Sequence, residues 1–199
     1  MANKRTPLAL FAIVSCLAVA ATDFTATKII RFVPSGEGEG MKQGYCWTNS
    51  IAAPRPDAWR CMAGNEIFDP CFQLQSGGSV LCNPNPAKGE EGFLLKLTQP
   101  LPSPETLEER KDSAEGGGWL IELSDGTLCS PATGARGLVD GKIVTCYCEN
   151  EHTGGNIVLL GDLDTSSPIW MAEKAIMDGG SGASKLLSSE KVAVKTVWQ

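Results

Sequence analysis

Histidine is nearly missing from this sequence: there is one, His152, in 199 residues. Its scarcity removes multi-histidine metal sites and most histidine-based acid–base catalysis. Basic charge is also short, with 17 Lys and Arg against 23 Asp and Glu, a net charge of −6 and a pI near 4.9. Nucleic-acid binding needs clustered Lys and Arg to displace counterions from phosphates, so nucleic acid is excluded as a main partner. A polybasic membrane surface is excluded on the same ground. Beyond the first twenty residues no apolar run reaches bilayer length; Ile157 to Leu160 is one of the longest, and no membrane span is expected there. The sequence has no phosphate-binding loop and no Gly-x-Ser-x-Gly elbow, and no cofactor is expected.

What is abundant points to a cross-linked, loop-rich protein: 8 Cys, 22 Gly and 12 Pro. With 42% apolar and 20% charged residues, a packed core forms and wholesale disorder is excluded. The length suits one domain, or one domain with a tail.

The start of the chain reads as a secretory signal peptide over residues 1–20. Lys4 and Arg5 give the charged leader, Leu8 to Val19 the apolar stretch, and Ala18-Val19-Ala20 the small-residue cleavage site. The mature chain is then expected to start at Ala21 or Thr22. The alternatives are an N-terminal membrane anchor and lipidation at Cys16, because Ile13-Val14-Ser15-Cys16 loosely resembles a lipobox. Cleavage removes two basic residues and no acid, so the mature chain is more acidic still. The expected location is secreted or periplasmic.

Export leaves Cys46, Cys61, Cys71, Cys82, Cys129, Cys146 and Cys148 in an oxidising compartment, where disulfides are the default. Each bridge closing ten to twenty residues contributes about 3 kcal/mol in the chain-entropy account. An odd count leaves one thiol free or open to an intermolecular bridge, and hence to a disulfide-linked dimer. Cys146-x-Cys148 with His152 four residues on does not match zinc-ligand spacing, so no metal is expected.

The pattern along the chain predicts a mainly β fold: a small, disulfide-stapled antiparallel sheet domain over residues 41–199. An α+β variant arises if a short helix forms near residues 57–63, started by an Asp57 cap and ended at Gly64-Asn65. Residues 21–40, ending Ser35-Gly36-Glu37-Gly38-Glu39-Gly40, read as a flexible tether. Within it Ile29-Ile30-Arg31-Phe32-Val33 is a β-like run suited to pairing with the domain. The Pro-rich stretch opening residues 99–118 reads as a surface loop dividing the domain into two halves. Ser76-Gly77-Gly78-Ser79, Asp125-Gly126 and Asp140-Gly141 lie between apolar runs and read as hairpin turns. These hairpins bring Cys71 near Cys82 and Cys129 near Cys148. The segment 168–177 reads as either strand or helix, with strand favoured.

The block Tyr45-Cys46-Trp47-Thr48-Asn49-Ser50-Ile51-Ala52, Pro54-Arg55-Pro56-Asp57-Ala58-Trp59-Arg60-Cys61-Met62, Gly64-Asn65-Glu66-Ile67 and Asp69-Pro70-Cys71-Phe72 resembles one seen in a family of exported Cys-rich bacterial proteins. Gly92-Phe93-Leu94-Leu95, Trp119 to Cys129, Trp170 and Val194 to Gln199 extend the resemblance across residues 45–199. It implies no catalytic residues. It implies six recurrent cysteines with Cys146 as the extra one, which leaves Cys46 to pair with Cys61.

No catalytic residues are assigned. His152 lies in a Gly-rich loop with no placed partner. Asp162-Leu163-Asp164-Thr165-Ser166 lacks the central Gly and closing Glu of a calcium loop. Glu90-Glu91 and Glu108-Glu109 read as solvated surface. The candidate binding surface is Trp47, Arg55, Trp59, Arg60, Asn65 and Asp69, because aromatic and guanidinium groups stack on sugars or peptides and hold carboxylates. The plainer account has Asp57 as a cap, Arg60 paired with Asp69, and both Trp side chains packed against disulfides. The function expected is a non-enzymatic exported module, ligand-binding or structural, acting on an envelope or extracellular ligand. The alternatives are a carboxylate-dependent hydrolase and a protease inhibitor.

Overall fold

Alternating apolar and polar residues punctuated by Gly and Asp turns build strands throughout. The computed structural model describes residues 23–103, 118–149, 156–178 and 185–199. Among them are thirteen strands and no helix: β1 (Lys28–Ile30), β2 (Met41–Asn49), β3 (Ala58–Ala63), β4 (Glu66–Gln73), β5 (Ser79–Cys82), β6 (Phe93–Leu97), β7 (Leu120–Leu123), β8 (Leu128–Pro131), β9 (Leu138–Val139), β10 (Lys142–Cys148), β11 (Asn156–Asp164), β12 (Met171–Met177) and β13 (Leu186–Trp198). The proposed signal segment, Cys16, Glu108-Glu109 and His152 lie outside the described residues.

Strands β2 to β6 form a five-stranded barrel in meander order. It closes by parallel pairing of β6 with β2, from Met41↔Leu94 to Gly44↔Leu97. Gly44 in turn permits the close approach of β3, since a Cβ there would sit 2.0 Å from the Met62 carbonyl oxygen. The interior holds Cys46, Trp59, Cys61, Phe68, Cys71, Val80, Cys82 and Leu95. In a second barrel, β7, β8, β10, β11, β12 and β13 form a ring closed where β13 pairs with β7. Ile121, Leu123, Cys129, Cys146, Leu159, Ala172, Val194 and Val197 fill it. Lys174 is sequestered by Asp125 at 2.5 Å and Glu190 at 3.1 Å.

β11 is buried on both faces. Val158 and Leu160 pack with Val139 and Val144, and with Ala175 and Met177 of β12, in a small separate cluster. The β9–β10 turn that supplies Val139 has positive φ at both Asp140 (48°) and Gly141 (78°), the backbone of a type I′ hairpin.

The stretch 57–63 forms no helix: Asp57 lies in a turn and Ala58–Ala63 is strand β3. Trp59, Cys61 and Ala63 point into the barrel while Arg60 and Met62 are only partly buried, a two-residue period that a helix cannot present to one core. Asp57 is not a helix cap. It takes two hydrogen bonds from Arg55, and Gly64 turns the β3–β4 hairpin with φ 61°. The segment read as a tether contributes β1, which pairs in parallel with the end of β13. Phe32 beyond it packs on Phe72 at 4.9 Å and Trp119 at 5.3 Å. The ambiguous segment 168–177 contains strand β12.

The barrels share an apolar cluster: Ala52, Ala53, Ala58 and Phe72 from the first, with Trp119, Leu120, Leu128 and Trp198 from the second. Three disulfides, Cys46–Cys61, Cys71–Cys82 and Cys129–Cys148, each join residues directly opposite on neighbouring strands. Cys146 is free and buried, with 6% of its surface exposed. A bridge from it to a second molecule would require that the second barrel open, so the dimer expectation has no support in the fold.

Candidate functional site: an aromatic and arginine face beside the barrel junction

Strand β2 turns Gly44 and Cys46 inward and leaves Tyr45 and Trp47 outside, 37% and 38% exposed. Their ring centroids lie 6.4 Å apart. A register irregularity between β2 and β3 falls at Trp47, between the Cys46↔Cys61 and Thr48↔Arg60 pairs. Such bulges re-aim side chains on the outside of barrels. Opposite on β3, Met62 accepts a hydrogen bond from Tyr45 Oη at its sulfur, 3.8 Å away. Arg60 lies with its guanidinium carbon 5.8 Å from the Trp47 ring centre.

Arg60 is fixed from two sides. Its Nη1 donates to the Thr133 carbonyl in the β8–β9 connection of the second barrel at 3.2 Å. Its Nε is 3.9 Å from Asp69 Oδ2, an ion pair too long for a hydrogen bond, and that Nε has no hydrogen-bond partner. Asp69 beneath it is 3% exposed in its side chain. The carboxylate accepts from Ser50 Oγ, from the Ile51 amide at 3.1 Å and from the Ala52 amide at 3.4 Å. Ser50 Oγ in turn accepts from the Ala53 amide at 2.8 Å. Asp69 thereby anchors the loop after β2. Burial raises its pKa, outweighing the hydrogen bonds and Arg60, which act to lower it.

The remaining candidates separate. Trp59 is 1% exposed and belongs to the core, so it is no part of a binding surface. Its Nε1 is buried without a hydrogen-bond partner. Arg55 welds the barrels instead of facing a ligand. It forks onto Asp57 through Nε at 2.7 Å and Nη2 at 2.5 Å, donates through Nη1 to the carbonyls of Phe32 and Gln199, and stacks on Phe72. Burial raises the Asp57 pKa, but the Arg55 bonds prevail and hold the carboxyl below its ordinary range. Asn65 is exposed at the tip of the β3–β4 hairpin, beyond Met62. The structure therefore gathers Trp47, Arg60 and Asp69 and disperses Arg55, Trp59 and Asn65. Tyr45 and Met62 join the face without having been singled out. The signal for Tyr45 was its i−2 spacing from Trp47 around an inward Cys46.

Comparison with family models, with curated proteins and with solved structures returned no match.

Proposed function

We propose that this chain is an exported, non-enzymatic binding module whose ligand docks on Tyr45, Trp47 and Arg60 beside the barrel junction. The observation that carries the reading is the pair of exposed rings with a guanidinium laid against one of them and tied to the second barrel. Aromatic faces stack on sugar rings or planar groups, and a guanidinium held in a fixed orientation takes a carboxylate. The ligand class that fits is an acidic polysaccharide or an acidic peptide of the envelope or exterior. Asp69 serves as an anchor for the loop and for Arg60, since Ser50 and two backbone amides occupy its oxygens. Three disulfides accord with an oxidising location.

The test is binding of the mature protein to a panel of acidic and neutral polysaccharides and acidic peptides, by calorimetry. Trp47→Ala should abolish capture of the acidic members and Arg60→Ala should remove their preference over neutral ones. Turnover of any bound member, or capture indifferent to both substitutions, would overturn the reading. Mass spectrometry of the native N-terminus tests export: an intact Met1 or a lipidated Cys16 would refute cleavage after Ala20 or Ala21.

A further inference from the structure

The outer face of the first barrel continues past Tyr45. Tyr45 lies directly opposite Met62, and Met62 directly opposite Ile67, so one row crosses β2, β3 and β4. The pleat fixes its direction. Cys46, Cys61 and Phe68, a chain neighbour of each, belong to the barrel core, so the row points outward. Ile67 is 50% exposed and Met62 is partly buried. Strands lie about 4.8 Å apart, so the row is about 10 Å long. Arg60 stands two residues before Met62 on the same face of β3, about 7 Å from it along the strand. A cation, two exposed rings, a thioether and a branched aliphatic group thus share one surface. Tyr, Trp, Met and Arg are the residue types enriched where proteins meet partners.

The row separates the two acidic ligand classes. A polysaccharide presents hydroxyls around every ring. The Ile67 side chain has no polar atom to bond them, and the Met62 sulfur already accepts from Tyr45 Oη. Desolvating unmatched hydroxyls there opposes binding. An apolar side chain meets no such cost, and methionine adapts its shape to such a guest. Strands β2 to β6 close on themselves, so a peptide is read on this face by its side chains and is not added as a strand.

We propose that the ligand of this face is a peptide segment of a partner protein, in which an acidic and a bulky apolar side chain stand two residues apart. The carboxylate meets Arg60, and the apolar group lies across Met62 and Ile67. The inference rests on the reading of Tyr45, Trp47 and Arg60 as a binding face, and it adds Met62 and Ile67 to that face. In an extended segment, side chains two residues apart lie on one side, about 7 Å from each other, which matches the Arg60-to-Met62 spacing.

The test offers the oxidised chain, with its three disulfides formed, a displayed library of random short peptides. Enriched sequences should carry Asp or Glu two residues from Leu, Ile, Met or Phe, in either order. An enriched peptide is then synthesised and measured by calorimetry. Ile67→Ala should weaken its binding by about 5- to 10-fold, since a half-exposed side chain has roughly half of its full burial still to gain. The same peptide with its apolar residue changed to Ala should lose a similar factor. Ile67→Ala lies at the surface and should keep the circular dichroism of the parent. Leu138→Ala, an exposed apolar site on the second barrel, should change nothing. Oligogalacturonate, an acidic oligosaccharide, serves as the rival probe. If it binds, loses binding with Trp47→Ala and is indifferent to Ile67→Ala, the face stands and the peptide inference falls. A library that yields no enriched sequence, or enriched peptides that lack the acid–apolar pair or ignore Ile67→Ala, also overturns it. If no probe responds to Trp47→Ala, both readings fall.

Discussion

The two barrels solve the same problem with different materials. The first spans residues 41–97, and its core is built from sulfur and aromatic rings, with two disulfides crossing it. The second holds one disulfide and a largely aliphatic interior, and it shelters Lys174 between Asp125 and Glu190. A small ring has little volume for apolar side chains, so covalent links replace part of the hydrophobic contribution. A larger ring accommodates more branched side chains, while Lys174, 11% exposed in its side chain, is held by two carboxylates that stay largely in solvent.

Removing the cross-links should break this comparison most sharply. Replacing Cys46, Cys61, Cys71 and Cys82 together by Ala should cost several kcal/mol, at about 3 kcal/mol per bridge, and abolish the near-ultraviolet signal of the first barrel. Cys129→Ala with Cys148→Ala should cost about 3 kcal/mol by denaturant titration and leave the first barrel folded. Equal losses would show that the first barrel does not depend more on its sulfur.

Next in size is the weld. Arg55→Met removes the fork onto Asp57 and the bonds to the Phe32 and Gln199 carbonyls. Leaving those acceptors unmatched should cost about 2–3 kcal/mol. It should also split a single unfolding transition into two, seen by comparing tryptophan fluorescence with circular dichroism.

The strand character of both barrels was legible in the sequence because turns announce themselves chemically. Asp140-Gly141 and Ser76-Gly77-Gly78-Ser79 supply positive φ where two strands must reverse, and the hairpins set Cys129 against Cys148 and Cys71 against Cys82. Residues 57–63 misled for a physical reason. An Asp before an apolar run and a Gly after it punctuate a helix and a hairpin alike, and only the cores on either side decided for the strand. The division into halves was legible at the Pro-rich stretch that opens residues 99–118, but the closure of each half into a ring was not, since it depends on β6 meeting β2 and β13 meeting β7, pairings with no local signature. The same holds for the site. Tryptophans at 47 and 59 look equivalent in sequence, yet the pleat sends one outward and the other into the core.

A smaller effect separates the barrels by acid. Burial raises the Asp69 pKa, so the folded state retains a proton that the unfolded chain releases. Its contribution to stability therefore falls as pH rises from about 4 through the raised value. Asp125 has the opposite displacement, because the Lys174 and Thr127 bonds outweigh a burial effect that acts to raise it. That contribution is lost as pH falls below the ordinary carboxylate range. Asp69→Asn and Asp125→Asn should thus change the slope of stability against pH in opposite senses, measured by urea titration between pH 3 and about 6.

The smallest effects are at single side chains. Trp47→Ala should alter stability by about 0.5 kcal/mol or less, as exposed positions do, while removing ligand capture. Cys146 should resist alkylation in the folded protein, because burial pushes its thiol up to about 11. Rapid labelling would show a second barrel that opens readily.

The thirteen-residue strand β13 sets an order of assembly. Its first part pairs with β12, and its last part pairs with β7 on one side and with β1 on the other. A chain emerging from the ribosome N-terminus first can close its first ring once β6 has appeared at Leu97, well before β13 begins at Leu186. Until then Lys28–Ile30 has no strand to join, and the edge of β7 stands open. Nascent chains halted before Val194 should therefore carry one protease-resistant ring followed by a digestible remainder. Adding the final few residues should convert both ends of the molecule in a single step.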